Sequence, residues 1–145
     1  MNITIVSGFF NPLHGGHLDM IDAAASMGDK LVVIVNNDIQ QVIKKDKIIL
    51  PEDNRARVIS ALRHVDEVLI ALDEDPTVIK SLDHLAKKYD GHEIVFANGG
   101  DRDSVKAIPE GEICEFHNIT MVFGVGGMEK ADSSTRINQA LGHQK

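Results

Sequence analysis

Apolar residues fall along this chain in short continuous runs separated by stretches of helical period. The runs are Ile3 to Val6, Leu31 to Val35, Val68 to Leu72, Ile94 to Ala97, and Met121 to Phe123 following Ile119. Each is nearly unbroken rather than alternating, which predicts strands buried on both faces, as in a parallel sheet covered by helices. Between them, Leu18, Ile21 and Ala25 recur at helical spacing with Gly28 closing the segment, and Val58, Ile59, Leu62 and Val65 repeat the pattern after Pro51. Asp75 and Pro76 read as an N-cap and first-turn pair ahead of the stripe Val78, Ile79, Leu82, Leu85 and Ala86. Pro109 to Phe116 predicts a fourth helix, and Ser133, Ser134 and Thr135 open a last one carrying Ile137 and Leu141.

The alternation predicts an α/β chain: a Rossmann-like, doubly wound, five-stranded parallel sheet with helices on both faces and right-handed crossovers. Ligands of such sheets bind beyond the carboxyl ends of the strands. The loops expected there are Ser7 to His17, Asn36 to Lys47, Asp73 to Asp75, Asn98 to Arg102 and Gly124 to Ser134, and they hold nearly all the unusual residues.

Composition narrows the functional classes. With 145 residues, 43% hydrophobic and 26% charged, the chain reads as a single domain spanning residues 1–145. No internal repeat or low-complexity tract interrupts it. Fifteen Lys and Arg against 22 Asp and Glu give a net charge of 15 − 22 = −7, which argues against a nucleic-acid coat but leaves room for a local anion pocket. The single cysteine, Cys114, excludes an intrachain disulfide and a Cys-rich zinc site. The opening MNITIVSGFF has no secretory pattern and no apolar run approaches a membrane span, so cytoplasmic residence without membrane contact is the expectation.

The densest chemistry is SGFFNPLHGGH, residues 7–17. A glycine directly after the first strand and an exposed helix start can turn backbone N–H groups toward phosphate oxygens. His14 and His17, three apart, share one face of that helix start and can donate to a phosphoryl group as charge builds on it. Three other readings compete: polar residues satisfied at a helix start, a Gly-Gly turn that serves packing, and two ligands of a metal. No HExxH pattern and no third ligand at a recognisable spacing supports the metal. The loop is neither a P-loop, lacking the Lys-Ser/Thr ending, nor GxGxxG. Lys44, Lys45 and Lys47 form a basic run after the second strand, followed by Arg55 and Arg63. That run is either a solvated face or a phosphate grip; Arg55, with a planar guanidinium, is the best candidate for a fork on two phosphate oxygens. Asp38 is either a turn aspartate or an acidic residue facing an acceptor, and Asp73, Glu74 and Asp75 read as a loop plus helix cap.

GFFNPLHGGH resembles the GxFDxxHxGH signature of the HxGH nucleotidyltransferases, the cytidylyltransferase-like group. The likeness continues in order. LPEDNRARVISALRHVDEVLIALDEDPT resembles the second-helix region of the adenylyltransferase domain of bacterial ADP-heptose synthesis and of glycerol-3-phosphate cytidylyltransferase. NGGDR resembles the family's GGD or GDD after the fourth strand, and SSTRI its final S-[ST]-T-x-I helix start.

The resemblance implies transfer of AMP or CMP from a nucleoside triphosphate to a small phosphomonoester such as a sugar or polyol phosphate, with in-line attack on the α-phosphorus and release of pyrophosphate. It implies catalytic roles for His14, His17, Lys44 and Lys47, and nucleotide binding by Gly8, Phe9, Phe10, Gly100, Asp101, Ser134 and Thr135. Asp38, Arg55 and Arg63 would bind the second substrate. Mg²⁺ is expected to arrive with the triphosphate, no protein metal ligands are assigned, and a homodimer is an open option. Arg57 and Lys45 are expected to face solvent. Two positions depart from the pattern: Asn11 stands where the signature has an acidic residue, and the basic residue some relatives carry before the last motif has no clear counterpart near Lys130. A non-catalytic nucleotide sensor on the same fold is the alternative that Asn11 keeps open.

Overall fold

The computed structural model describes residues 1–10, 13–45, 50–99 and 109–125. Strands β1 (Asn2–Gly8), β2 (Lys30–Val35), β3 (Glu67–Ile70), β4 (Glu93–Gly99) and β5 (Thr120–Val125) form one sheet in the order β3-β2-β1-β4-β5, with every pairing parallel. Helices α1 (Gly15–Ala25), α2 (Asp38–Lys45), α3 (Glu52–Ser60), α4 (Ile79–Lys88) and α5 (Gly111–Phe116) connect them. The expected doubly wound parallel sheet is therefore present, with β1 at its centre.

Alternate residues of the central strands divide the core in two. Ile3 and Ile5 of β1 and Val32 and Ile34 of β2 join Leu82 and Leu85 of α4 and Cys114 of α5. Val6 of β1 and Leu31, Val33 and Val35 of β2 join Ile21 and Ala24 of α1 and Ile59 of α3. The winding reverses at β1: the chain steps outward to β2 and β3 over one face, then crosses to β4 and β5 over the other. Right-handed crossovers require that change of face.

The sequence pattern misses several boundaries, each for a physical reason. The stretch expected as a loop after β2 contains α2, whose polarity is inverted. Gln40 and Gln41 are buried, while Ile39, Val42 and Ile43 are 55%, 46% and 54% exposed. In α1 the buried positions are Ile21 and Ala24, not Leu18 and Ala25. Its C-cap is Ser26, and Gly28 serves another purpose. A Cβ on Gly28 would lie 2.7 Å from Thr4 Oγ1 and 2.8 Å from the Asn2 carbonyl oxygen, so glycine lets the turn close onto β1. α3 ends at Ser60, and Leu62 and Val65 reach the core from the turn beyond it. β3 starts at Glu67 and stops at Ile70, short of the expected Leu72.

α4 begins later than Asp75–Pro76 suggested, with Val78 as N-cap. Asp75 closes a local turn, accepting from the Thr77 amide at 2.9 Å and the Thr77 hydroxyl at 2.6 Å. Buried Asp73 supplies the carboxylate to the helix start, accepting from the amides of Lys80 (2.7 Å) and Ser81 (3.1 Å) and from the Ser81 hydroxyl (2.7 Å). At the other rim, Glu67 accepts from Lys88 (2.8 Å), Lys30 (3.2 Å) and the Tyr89 hydroxyl. Burial alone would raise the Glu67 pKa. The hydrogen bonds from Lys88, Tyr89 and Lys30 outweigh it and hold the carboxyl below the ordinary glutamate range.

Two predictions follow from this packing. Gly28→Ala forces β1 and the α1–β2 turn apart and is expected to destabilise the protein by about 1–3 kcal/mol in urea unfolding, as overpacking does. An unchanged midpoint would show that the turn can yield. Because the Glu67 pKa is lowered on folding, its stabilisation is present above the ordinary glutamate range and lost as pH falls through and below it. Glu67→Gln should thus lower the melting temperature at pH 7, with the gap closing in acid; a gap independent of pH would show that the carboxylate's charge contributes nothing.

Candidate active site

The carboxyl ends of β1 and β4 flank the point where the winding reverses, the place where open α/β sheets bind their ligands. From β1 the chain turns through Gly8, Phe9 and Phe10. Phe10 is 1% exposed and takes a left-handed φ of 51°, a conformation uncommon for a bulky residue. Its ring lies over Gly8, where a Cβ would come 2.8 Å from the ring tip. Glycine at position 8 is thus what lets Phe10 fold back.

Helix α1 then begins without a hydroxyl or carboxylate cap. His14, in extended conformation, is the N-cap, and its Nδ1 accepts the Gly16 amide at 3.1 Å. His17 completes a capping box by accepting the His14 amide on its own Nδ1 at 3.2 Å. A ring nitrogen that accepts carries no proton, so both imidazoles are assigned the tautomer with hydrogen on Nε2. The rings stack with centroids 3.7 Å apart, 24° from parallel, and the Phe10 ring meets His17 edge-on at 4.9 Å. Two backbone contacts thereby convert two histidines into oriented Nε2–H donors at the positive end of a helix. The readings of these residues as helix caps and as phosphoryl donors are compatible, because the two roles use different nitrogens.

Arg55 departs from expectation. A guanidinium on α3 facing open crevice would suit a phosphate fork, yet this one is buried, 1% exposed. Its Nε donates to the Leu50 carbonyl (2.8 Å), one terminal nitrogen to the carbonyls of Phe9 (2.7 Å) and Asn36 (2.6 Å), and the other to Asp38 Oδ1 (2.7 Å). An arginine has five N–H donors, so these four bonds leave fewer than a fork on two phosphate oxygens needs. Asp38, expected to face the acceptor, is the ion-pair partner of Arg55, with its side chain 30% exposed and its amide donating to Glu52.

Arg63 lies apart from Arg55. It is exposed in the turn between α3 and β3, and the same turn is tied by Asp66 to Leu31 at the start of β2. That is the amino rim of the sheet, opposite the crevice. Arg57 is exposed, as expected. Lys44 lies on α2. Lys47, Gly100, Asp101, Ser134 and Thr135, with Asn11 and Lys130, lie outside the described residues.

Sequence reasoning missed the polar network that seats the β2 loop. Gln40, fully buried, accepts from the Asn36 side chain (3.0 Å) and the Asn37 amide (2.9 Å), and donates to the carbonyls of Asp75 (2.8 Å) and Thr77 (2.7 Å). Asn37 in turn donates to the carbonyls of Ala71 (3.0 Å) and Asp73 (2.7 Å). Paired asparagines at a strand end were the available signal, since such side chains substitute for backbone partners where a ladder stops. At β4, the pairing with β5 shifts register between Ala97 and Gly99, and Asn98 fills the irregularity by donating to the Val122 carbonyl at 3.3 Å. Among the described residues, no group of three or more His, Cys, Asp and Glu could hold a metal ion, and no helix is long and apolar enough to cross a membrane.

A parallel sheet that reverses at β1, with a glycine turn after its first strand and a histidine-capped helix at the same rim, defines an α/β protein with a ligand crevice at the carboxyl ends of its strands. The chain belongs to the cytidylyltransferase-like family, a group of nucleotidyltransferases, whose model matches residues 5–139. It is 32% identical over 127 residues to an FAD synthase of Archaeoglobus profundus, covering 81% of each chain. It is 29% identical over 113 residues to the bifunctional protein HldE of Azorhizobium caulinodans, covering 70% of this chain and 24% of that one. Among solved structures it resembles the lipopolysaccharide core biosynthesis protein of Thermoplasma volcanium, with a TM-score of 0.68, 26% identity, and coverage of 91% of this chain and 99% of that one.

The capping role makes its own prediction. His14→Asn and His17→Gln supply side chains suited to N-cap and N3 and should melt within about 2 °C of the parent, whereas alanine at either position should cost about 1 kcal/mol, or roughly 3 °C. Equal melting of all four variants would show that the rings do not cap the helix.

Proposed function

We propose that this chain transfers AMP from ATP to a small phosphomonoester and releases pyrophosphate. The observation that carries the reading is the pair of Nδ1-capped imidazoles at the start of α1, two oriented donors beside the reversal point of the sheet. Adenylyl rather than cytidylyl transfer is favoured because the FAD synthase is matched over most of its length, and FAD is FMN joined to AMP. FMN is accordingly the first acceptor to try, followed by sugar and polyol phosphates.

In this reaction an oxygen of the acceptor phosphate attacks the α-phosphorus in line. The bond from that phosphorus to the bridging oxygen breaks, and pyrophosphate leaves with the bonding electrons. The Nε2–H groups of His14 and His17 donate to phosphoryl oxygens as negative charge accumulates on them. The backbone of Gly8, Phe9 and Phe10 adds donors at the turn. Lys44 and Lys47 are assigned to the triphosphate and acceptor phosphates, Gly100 and Asp101 to the nucleoside, and Ser134 and Thr135 to the β and γ phosphates. Mg²⁺ would ride on the triphosphate with phosphate and water ligands.

Melting curves with ATP, CTP, GTP and UTP, each with magnesium, should show a selective rise with ATP, because a ligand of the native state stabilises it by mass action. Pyrophosphate release with FMN or a sugar phosphate should then fall by about 10²–10³-fold in His14→Asn and in His17→Gln, the loss typical of one transition-state donor. Near-normal turnover in both would remove the histidines from the chemistry, and a selective rise with CTP would make the donor CTP.

A further inference from the structure

We propose that Arg55 is a positioning residue of the reaction centre, acting through the Phe9 carbonyl and the β2 loop, and not a ligand of substrate phosphate. The role depends on the nucleotidyl-transfer reading of the site, although its structural half can be tested without turnover.

Among the described residues Arg55 heads the large side chains that are fully buried, and its four bonds reach three stretches of chain. The Phe9 carbonyl belongs to the turn after β1, the Asn36 carbonyl to the end of β2, Asp38 to the first turn of α2, and the Leu50 carbonyl to the approach to α3. One planar cation therefore fixes the distance between the loop that carries the histidines and the loop expected to face the acceptor. The Phe9 contact matters most. That carbonyl belongs to the peptide unit entering Phe10, whose left-handed φ of 51° must be held by its surroundings. With the peptide held, the Phe10 ring stays folded over Gly8 and edge-on to His17. The line of contact thus runs from guanidinium to carbonyl, to ring, to imidazole.

Lysine at position 55 would keep the charge while presenting three donors on one atom, which cannot serve four acceptors spread around a plane. A phosphate ligand and a positioning brace therefore respond differently to Arg55→Lys. In-line transfer is sensitive to displacements of about 1 Å, so loosening the brace is expected to cost about 100-fold in kcat while leaving KM for triphosphate and acceptor within about 3-fold.

The test pairs those kinetics with ¹⁵N spectra of histidine-labelled full-length protein without ligands, His17 being assigned by its loss in His17→Gln. In the parent, the His17 ring should show hydrogen fixed on Nε2. In Arg55→Lys its signals should move toward the average of the two tautomers, while the signals of His117, bonded to Asp83 away from the site, stay in place. Asp38→Ala, which removes one of the four contacts, should move His17 in the same direction by less and covers the case in which Arg55→Lys fails to fold. The proposal is overturned if the His17 signals stay fixed in a folded variant. It is equally overturned if KM for the triphosphate or acceptor rises by more than about 10-fold at unchanged kcat, the mark of a phosphate ligand. Absence of turnover in the parent protein would count against nucleotidyl transfer, while the His17 spectra would still decide whether Arg55 positions the ring.

Discussion

At the head of α1 two imidazoles stand where helices usually place a hydroxyl or carboxylate, and the carboxyl rim of the sheet beside it is organised around that substitution. A helix start leaves backbone amides without partners, and a nitrogen acceptor satisfies them as well as an oxygen does. The consequence is chemical as well as structural. A carboxylate cap offers only acceptors, whereas an imidazole that accepts on one nitrogen donates from the other. When Nδ1 of His14 takes the Gly16 amide and Nδ1 of His17 takes the His14 amide, each ring loses its freedom of tautomer and gains a defined donor. The Phe10 ring behind His17 and the glycine beneath Phe10 extend that order back to β1.

Charge is distributed accordingly. A chain of net charge −7 has few cations to assign, and it places one of them, Arg55, in the interior against three carbonyls and Asp38. A buried guanidinium is tolerated when its donors find acceptors and its charge is paired; here four of the five donors are bonded and Asp38 pairs the charge. The glutamine and asparagine network around Gln40 does the equivalent work with neutral groups, tying the β2 loop to the segment that leads to α4. Polar residues under the rim explain why α2 turns its glutamines inward and leaves Ile39, Val42 and Ile43 outside.

The sheet, its parallel sense and the winding on two faces were legible because continuous apolar runs and helical stripes come from burial, which a single sequence records directly. The histidine pair was legible from the motif, although its capping role required backbone conformation. Three features were not legible. Arg55 and Arg63 look alike as basic residues near α3, yet one is buried against the β1 turn and the other is exposed at the opposite rim, a difference set by which way α3 faces and where it ends. Asp75 reads as the cap because Pro76 follows it, whereas Asp73 takes the amides of the helix start, and the choice depends on where β3 releases the chain. Gly28 resembles a helix terminator but serves a close approach to Thr4 and Asn2 that arises from tertiary packing.

The proposed role of the capped histidines is in cleavage of the link between the α and β phosphorus atoms of a nucleoside triphosphate. The most direct measurement is ³¹P spectroscopy of the products formed from ATP, magnesium and FMN or a sugar phosphate. Nucleotidyl transfer yields pyrophosphate together with a new diphosphate diester that joins AMP to the acceptor. Formation of ADP, meaning cleavage between the β and γ phosphorus atoms, would contradict it.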